Sequence, residues 1–409
     1  MARRPAIHVA LDLGTHKTAV LVATLEDDVP TVIGLGTSPS LGLRRGVIVN
    51  IESTVQAIQR AVREAEIMAD CEIHSVIVSS SGNHVRGFNS HGMVAIKGRE
   101  VTPVDVELVH EAARAVALPM DRQVLHVLPQ EYIVDDQEGI RDPEGMAGVR
   151  LEARVHVLTG ASAVIQNVIK CCNRAGLAVL EVVLAPLASA EVVLSEEERD
   201  LGVGMIDVGG GTSDLVIYQG GAVQHTAVLG LGGNHLTNDI AAGLHTPSAE
   251  AEKLKQRFGC AVPTTVRADE RIEVPSVGGR GPRVLSRQIL AEIIEPRVEE
   301  ILTLVSREIS RAGADGMLAS GIVLTGGTAA LEGIASLAER VFRMPVRVGA
   351  PTRSSGLGDI LSGPAYATGM GLLQLAARGG TEAGITTASS NGMIARVRTR
   401  MGDWLREFF

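Results

Sequence analysis

The hydrophobic and polar positions of this chain follow two periods, one typical of strands and one typical of helices. Residues 6–13 and 18–25 are short apolar runs, which predict two strands joined by a tight turn. Over 53–69 the apolar residues recur every three or four positions, which predicts an amphipathic helix. Another apolar run over 73–79 predicts a third strand. This succession of strands and helices is typical of an α/β fold.

The pattern changes between about residues 84 and 160, where short strands surround a single helix. We expect strands over 122–134 and 149–158 and a helix over 103–117. Such a segment predicts a small α+β insertion in the larger fold. A helix over 161–175 and an apolar strand over 177–184 then restore the α/β alternation.

The second half of the chain repeats the strand–turn–strand pattern and adds longer helices. The predicted strands are 202–208, 213–218 and 320–325, and the predicted helices lie within 232–258, over 285–311 and over 363–377. Thr246-Pro247-Ser248 divides the segment 232–258 into two helices, and we expect Pro247 at the first position of the second one.

The last part of the chain differs from the rest. Residues 379–392, rich in Gly, Thr, Ser and Ala, predict a flexible linker, and residues 393–409 have a helical pattern. One face of that helix is apolar, whereas Arg396 and Arg400 lie on the opposite face with other charged residues. The apolar face consists of Met393, Ile394, Val397, Met401, Trp404, Leu405 and Phe408. This pattern predicts a helix that lies on an anionic lipid surface, and the alternative is a helix packed on the protein's own core.

Composition and charge exclude several classes of protein. With 409 residues the chain predicts two or three domains, and 45% hydrophobic residues exclude a disordered chain. A net charge of −9 argues against a nucleic-acid partner. Four cysteines without a CxxC spacing predict a reduced cytosolic protein, and no apolar run is long enough to span a membrane.

Two strand–turn–strand units have the chemistry of a phosphate site. Asp12-Leu13-Gly14-Thr15 and the longer segment from Asp207 to Asp214 each place a carboxylate, then glycines, then hydroxyls after a strand. Glycines let backbone N–H groups approach phosphate, and Asp12 and Asp207 can hold a hydrated Mg²⁺ through water. A Gly pair also follows the strand 320–325, where a nucleoside could lie. The alternative is that each glycine cluster is only a hairpin turn. The spacing of a P-loop and the GxGxxG motif are absent.

These three elements resemble the superfamily of actin, Hsp70 and the sugar kinases. Longer strings over 231–259, 274–300 and 356–373 resemble the FtsA family of bacterial cell-division proteins, and the similarity runs from about residue 6 to 377 and resumes in the tail. The resemblance implies an actin-like (ribonuclease H-like) α/β fold of two lobes, with an inserted small α+β subdomain and a C-terminal amphipathic helix.

The resemblance also implies domain boundaries. We expect the first lobe at 1–83, 161–199 and 361–378, and the inserted subdomain at 84–160. The second lobe is expected to have its core at 200–237 and 319–360 and an outer subdomain at 238–318. The linker at 379–392 and the membrane-targeting helix at 393–409 would complete the chain.

The resemblance implies that ATP and Mg²⁺ bind between the lobes. The residues expected to bind them are Asp12, Gly14, Thr15, Lys17, Asp207, Gly209, Gly210, Gly211, Thr212, Glu252, Lys255, Gly326, Gly327 and Thr328. A solvated ion pair is the alternative for Glu252 and Lys255, and an exposed turn residue for Lys17. Ala185 stands where relatives carry a residue that orients the attacking water, so we expect at most slow hydrolysis and assign no catalytic residue.

The partners follow from the same resemblance. A member of the family is expected at the cytoplasmic face of the inner membrane at the division septum, where it anchors FtsZ polymers, forms filaments and recruits later division proteins. Arg287 and Arg297 could receive the acidic FtsZ tail, and exposed helix arginines are the alternative. Other candidate functions are a pilus-assembly protein of the PilM type, a kinase of the superfamily and a chaperone.

Overall fold

The computed structural model describes residues 7–26, 29–98, 100–278, 281–352, 355–357 and 361–378. These residues form two α/β lobes and a smaller α+β unit inserted into the first lobe. The predicted linker 379–392 and tail helix 393–409 lie outside the described residues.

The first lobe is built on a six-stranded sheet. Its strands are β1 (Ile7–Leu13), β2 (Lys17–Glu26), β3 (Val29–Pro39), β6 (Ser75–Ser80), β11 (Ala178–Leu184) and β19 (Ser355–Gly356), in the order β11-β6-β1-β2-β3-β19. A small hairpin, β4 (Leu43–Arg44) and β5 (Val47–Ile48), follows β3. Alternate residues of β1 point to opposite faces, so that Leu11 packs in one buried cluster and Ala10 in another.

Helices cover both faces of this sheet. They are α1 (Ile51–Ala69), α3 (Ser162–Arg174), α4 (Ala185–Val193) and α10 (Ala367–Ala377), with α5 (Glu196–Leu201) leading into the second lobe. Asn50 caps α1 by accepting the Ser53 N–H at 2.9 Å, and one stripe of α1 is buried with Val55, Ile58 and Val62. The other face of the sheet packs against α4 and α10.

The inserted unit is a four-stranded antiparallel sheet with one helix. Its strands are β7 (Arg86–Ala95), β8 (Arg122–Val134), β9 (Gln137–Ile140) and β10 (Arg150–Ala161), in the order β7-β10-β8-β9, and its helix is α2 (Pro103–Arg114). Val109 and Ala113 of α2 are buried against the sheet. The α+β insertion is therefore confirmed, although α2 ends at Arg114 instead of residue 117.

The second lobe repeats the plan of the first. Its strands are β12 (Val203–Val208), β13 (Ser213–Gln219), β14 (Ala222–Leu229), β17 (Ile322–Thr325) and β18 (Val346–Val348), in the order β14-β13-β12-β17-β18. Its helices are α6 (Gly233–Gly243), α7 (Ser248–Phe258), α8 (Arg287–Arg311) and α9 (Ile334–Phe342), and a hairpin of β15 (Arg271–Val274) and β16 (Arg283–Ser286) precedes α8. In the first lobe β1 pairs with β2 in antiparallel orientation and with β6 in parallel orientation. In the second lobe β12 pairs in the same way with β13 and with β17.

One detail of the helix prediction was wrong. Pro247 precedes the helix α7 instead of occupying its first position, because its backbone is extended, with φ of −59° and ψ of 142°. The helix begins at Ser248.

Candidate functional site

A cavity of about 570 Å³ lies between the two lobes. All the residues that the sequence predicts for nucleotide and magnesium line it, and they come from elements far apart in the chain. They are Asp12, Gly14, Thr15, Lys17, Asp207, Gly209, Gly210, Gly211, Thr212, Glu252, Lys255, Gly326, Gly327 and Thr328. The folding of the two lobes thus brings the three glycine-containing segments together around one cavity.

The two hairpin turns approach each other with almost no side chain between them. A Cβ atom added to Gly211 would lie 2.6 Å from the Thr15 hydroxyl oxygen of the opposite lobe. The same hydroxyl oxygen accepts the Gly46 N–H at 2.9 Å. The Thr15 O–H therefore remains able to donate a hydrogen bond to a ligand oxygen in the cavity.

The N-terminus of α6 fixes the second turn. Gly233 N–H donates to Gly209 O at 2.9 Å, and Asn234 N–H donates to Gly210 O at 2.7 Å. The Thr328 hydroxyl donates to Gly209 O at 3.1 Å, so the turn 209–212 and the segment 326–328 are bonded directly. A preorganised turn can present its remaining N–H groups to an anion without rearrangement.

The two predicted magnesium carboxylates lie at corresponding strand ends, and each is held by hydroxyl groups. Ser79 Oγ donates to Asp12 Oδ1 at 2.8 Å, and Ser189 Oγ donates to Asp207 Oδ2 at 2.7 Å. Burial raises the pKa of Asp12, and burial together with the Asp12 charge raises the pKa of Asp207 to about 6. A nearby cation would therefore stabilise the charged form of each carboxylate.

A third carboxylate, Asp214, belongs to the same wall, although the sequence analysis assigned it no role. Ser81 Oγ donates to Asp214 Oδ2 at 2.7 Å, and the Thr212 hydroxyl does so at 3.2 Å. Burial and the charge of Asp207 raise the pKa of Asp214 to about 7. Its Oδ1 atom is buried and has no hydrogen-bond partner in the described part of the chain. The register of the hairpin was the available signal, because Asp207 pairs with Asp214 across β12–β13.

The hydroxyl groups that hold these carboxylates were also missed. No site role was predicted for Ser79, which lies in β6, or for Ser81, which directly follows this strand. Ser189 comes from α4, and Thr368 of α10 also reaches Asp207 Oδ2 at 3.4 Å. No spacing rule connects positions so distant in sequence, so only the folded chain reveals them.

Glu252 and Lys255 form a largely buried pair rather than a solvated one. Lys255 Nζ donates to Glu252 Oε2 at 2.7 Å, to the Thr237 hydroxyl at 2.9 Å and to Gly233 O at 3.0 Å. The Lys255 side chain is 11% exposed and that of Glu252 is 19% exposed. The pair lines the cavity beside the N-terminus of α6.

Lys17 and Ala185 also line the cavity. Lys17 Nζ stands 3.3 Å from the centre of the Tyr366 ring, and burial lowers the pKa of Lys17. Ala185 begins α4 and lines the cavity with a methyl group, which cannot polarise a water molecule. The exposed His16 stands 4.0 Å from Glu252 Oε1.

The two arginines expected to bind a partner are both engaged within the chain. Arg287 pairs with Glu270 and Glu332 and donates to Phe258 O, and it lines the edge of the cavity. Arg297 pairs with Asp239 through both Nε and Nη2, at 2.6 and 3.1 Å. Of the two, Arg297 is the more accessible, with 30% of its side chain exposed against 15% for Arg287.

Two further observations concern metal and membrane. Within the described ranges, no group of three or more His, Cys, Asp or Glu residues is placed to hold a metal ion directly. No described helix is long and apolar enough to cross a membrane. The residues predicted to contact lipid, from Met393 to Phe408, lie outside the described part of the chain.

Comparisons of the sequence with protein families agree with the geometry. The family model of the cell division protein FtsA matches residues 204–371, and the model of the SHS2 domain inserted in FtsA matches residues 82–159. The FtsA protein of Pseudomonas aeruginosa is 54% identical over 366 residues, covering 89% of this chain and 88% of its own length. The FtsA protein of Escherichia coli is 46% identical and covers 97% of this chain and 95% of its own length.

Comparisons with solved structures show the fold. The PilM–PilN type IV pilus biogenesis complex matches with a TM-score of 0.64 and 19% identity, covering 90% of this chain and 97% of that one. An MreB protein of Spiroplasma citri bound to ADP matches with a TM-score of 0.51 and 14% identity, covering 88% and 94%. At these identities the likeness is one of fold, which confirms the actin-like architecture.

Proposed function

The chain belongs to the FtsA family of cell division proteins, and from this premise we propose that it is an ATP-binding adaptor that anchors FtsZ polymers to the cytoplasmic membrane. ATP with Mg²⁺ would bind between the lobes and bias the chain towards its polymerising conformation. The septal, cytoplasmic face of the inner membrane is the location that this role requires.

One observation carries the nucleotide part of the proposal: every predicted nucleotide residue lines the same interlobe cavity. The cavity has the size of a small-molecule site. Its bare backbone at Gly211 suits phosphate oxygens, and Lys255 and Lys17 add positive charge next to it. An MreB protein with this fold has been solved with AMPPNP, which agrees with nucleotide binding by this fold.

The carboxylates fit a hydrated magnesium ion. Asp12, Asp207 and Asp214 line one cavity with raised pKa values, and Asp214 Oδ1 is unpartnered among the described residues. Contact through water suits these carboxylates, because Mg²⁺ keeps much of its hydration shell. Bound Mg²⁺ would neutralise phosphate charge, and the chain's own hydroxyls, from Ser79 and Ser189, would keep Asp12 and Asp207 oriented.

We propose that the nucleotide serves mainly as a binding switch. The methyl group of Ala185 lines the cavity. The resemblance to chaperone-type and actin-type proteins implies a water-orienting residue at this position. The site can therefore hold ATP without an efficient water-orienting group there, and we expect at most slow hydrolysis.

Membrane attachment is proposed for the tail 393–409. Its apolar face with Trp404 and Phe408, and its arginines Arg396 and Arg400, suit a helix in the headgroup region of an anionic bilayer. The linker 379–392 would give this helix reach. The folded lobes would then stay on the cytoplasmic side of the membrane.

We propose that the FtsZ tail docks on the outer part of the second lobe, where Arg297 is the more accessible of the two predicted arginines. An acidic peptide would have to share or displace the Asp239 contact of Arg297. Self-association into filaments and recruitment of later division proteins through the insertion complete the role; the fold neighbours include a MamK double helical filament.

Co-sedimentation with anionic vesicles tests the anchoring. The full chain should pellet with vesicles, a chain ending at Gly392 should not, and FtsZ should pellet only with the full chain. The emission of Trp404, the single tryptophan, should shift to the blue on binding. Arg297→Gln should reduce FtsZ recruitment, whereas Arg307→Gln on the same helix should not. If both chains stay in solution, the membrane role is excluded.

A further inference from the structure

A second cavity, of about 310 Å³, lies where the two lobes and the insertion meet. Val85, Arg86 and Gly87 contribute from the passage into β7, and Leu184 and Pro186 contribute from the junction of β11 and α4. The second lobe contributes residues of β14, Leu215 of β13, and two charged residues of α8. The cavity thus has walls from all three units and is of the size that accommodates a small ligand.

The walls of the second cavity have an apolar part and a charged part. Leu184, Pro186 and Leu215 form a buried apolar part. Arg86, Arg311 and Glu308 are charged, and Glu308 pairs with Arg311 and lies 3.5 Å from His225 Nε2. Burial lowers the pKa of His225, so this imidazole adds no charge at neutral pH.

Arg86 supplies the uncompensated charge. Its guanidinium has no acidic partner among the described residues, and its one hydrogen bond is a long contact of 3.4 Å to the Val85 carbonyl oxygen. Arg122 lies close enough to affect it electrostatically and has the same sign. With Arg311 balanced by Glu308, the cavity carries a net positive charge beside an apolar surface.

The second cavity also shares its wall with the nucleotide cavity. Ala185 lines the nucleotide cavity, and its neighbours Leu184 and Pro186 line the second one. In the same way Asp214 faces the nucleotide cavity and Leu215 faces the second. Each cavity is therefore lined by chain segments that also line the other cavity.

We propose that this second cavity binds a small amphipathic anion, with its carboxylate or phosphate at Arg86 and its apolar part against Leu184, Pro186 and Leu215, and that this binding is coupled to nucleotide affinity. The coupling follows from the shared wall, because a ligand that fits one arrangement of the 184–186 junction better than another shifts the population of both cavities. The anion site itself does not depend on the proposed role in division.

Ligand-observed NMR on the full chain, without vesicles, tests the site. The probes are hexanoate and octanoate below their aggregation concentrations, with hexanol and octanol as uncharged controls. We expect octanoate to bind more tightly than octanol, and we expect Arg86→Gln to weaken octanoate binding about tenfold, which is the loss of one charged hydrogen bond. Arg63→Gln, an exposed arginine on α1, is the matched control and should have no effect.

A second variant locates the ligand. Ala227 lines the cavity on β14, so Ala227→Leu should fill it and abolish octanoate binding while ATP still binds. Octanoate should also change the dissociation constant of a fluorescent ATP analogue by about fivefold or more, and the analogue should change octanoate affinity by the same factor. The site would be overturned if octanoate did not bind, if octanol bound equally well, if both arginine variants lost binding equally, or if Ala227→Leu retained binding. The coupling would be overturned if octanoate left the nucleotide affinity unchanged.

Discussion

At the scale of single residues, the nucleotide cavity is dominated by carboxylates that are buried near one another. Asp207 and Asp214 face each other across the β12–β13 hairpin, and Asp12 approaches from the other lobe. Hydroxyl donors stabilise the charged forms, but burial outweighs them and raises all three pKa values. Burial therefore disfavours the charged form of each carboxylate in the unliganded site, and a nearby divalent cation would offset this cost.

Replacing Asp214 tests this electrostatic balance. Its pKa of about 7 is above the ordinary value of 3.8, so between these values the folded chain holds a proton that the unfolded chain releases, and stability falls as the pH rises. Asp214→Asn mimics the protonated form and keeps an acceptor for Ser81. At about pH 8 it should stabilise the unliganded chain by at least about 1 kcal/mol, with little effect below about pH 4.

Thermal unfolding at the two pH values measures this effect, and Asp136→Asn is the control because Asp136 is fully exposed. The same substitution should weaken binding of Mg·ATP at about pH 8, since a charge near the cation is lost. A variant that is destabilised equally at both pH values would contradict the raised pKa of Asp214.

Replacement of Gly326 tests whether the third glycine-containing segment, 326–328, needs a residue without a Cβ atom. Its φ is +86°, and a Cβ atom there would lie 2.3 Å from Asp207 Oδ1 and 2.7 Å from Val208 O. Gly326→Ala should therefore lower the free energy of unfolding by at least about 1–2 kcal/mol and displace Asp207, so that ATP affinity falls. Gly363→Ala is the matched control, because a Cβ atom at Gly363 meets open space. Isothermal titration with Mg·ATP and chemical denaturation measure both effects, and equal behaviour of the two variants would refute the argument.

The sequence predicts the residues of this site that stand in local motifs, but not the hydroxyl groups that distant helices add to it. Asp12 and Asp207 lie near the ends of strands and Gly326 follows a strand, and all three stand in motifs, so short-range spacing identifies them. Ser189 and Thr368 reach Asp207 from α4 and α10, which only the packing of the first lobe brings to the cleft. A hydroxyl in a helix has no sequence signal for the carboxylate that it will meet.

At the scale of elements, the predictions succeed where a period is clear and fail where it is mixed. The strands β1 and β2 and the helix α1 have clean patterns and are confirmed. The helix α4 was missed because β11 and α4 form one continuous apolar run, in which length and period do not separate strand from helix. The strand β7 was missed because it is an edge strand with many exposed polar residues and two glycines.

Buried histidines join the insertion to the lobes. His126 Nε2 on β8 accepts the Leu184 N–H at 3.1 Å, and His156 Nε2 on β10 lies 2.9 Å from the Thr226 hydroxyl oxygen. Burial lowers the pKa of His126 to about 4, and burial with the nearby His225 lowers that of His156 to about 3. Both must be neutral for the insertion to stay in place.

Acid should therefore loosen the insertion before the rest of the chain. These groups bind fewer protons in the folded state than in the unfolded state, so their contribution is present above the ordinary pKa of 6.5 and is lost as the pH falls towards about 4. Hydrogen exchange of β8 and β10 should accelerate in this range. His126→Gln keeps an acceptor without titrating, so it should reduce the acceleration, whereas His74→Gln, at an exposed position, should not. Uniform acceleration in both variants would contradict this role of His126.

At the scale of the whole molecule, side chains of the first lobe hold carboxylates of the second. Ser189 and Thr368 donate to Asp207, and Ser81 donates to Asp214. Outside the cleft, Arg347 of β18 pairs with Glu198 of α5 at 2.7 Å. Hydrogen bonds between the two lobes therefore lie next to the ligand site. Binding of a ligand in the cavity and the relative position of the lobes are thus linked.

This linkage predicts how nucleotide affects the stability of the whole chain. A ligand that binds only the folded two-lobed form stabilises it by about 2.7 kcal/mol at a hundred times its dissociation constant. Mg·ATP at that excess should raise the unfolding midpoint of both lobes together, because the ligand contacts both, and calorimetry should show a single sharper transition. Ser189→Ala removes a crossing hydroxyl and leaves the phosphate turns intact. It should still bind Mg·ATP, more weakly because Asp207 loses an orienting donor, and it should separate the transitions of the lobes. If the ligand shifts only one transition in the unaltered chain, the nucleotide lies on one lobe alone, and closure of the cleft cannot be the signal that it transmits.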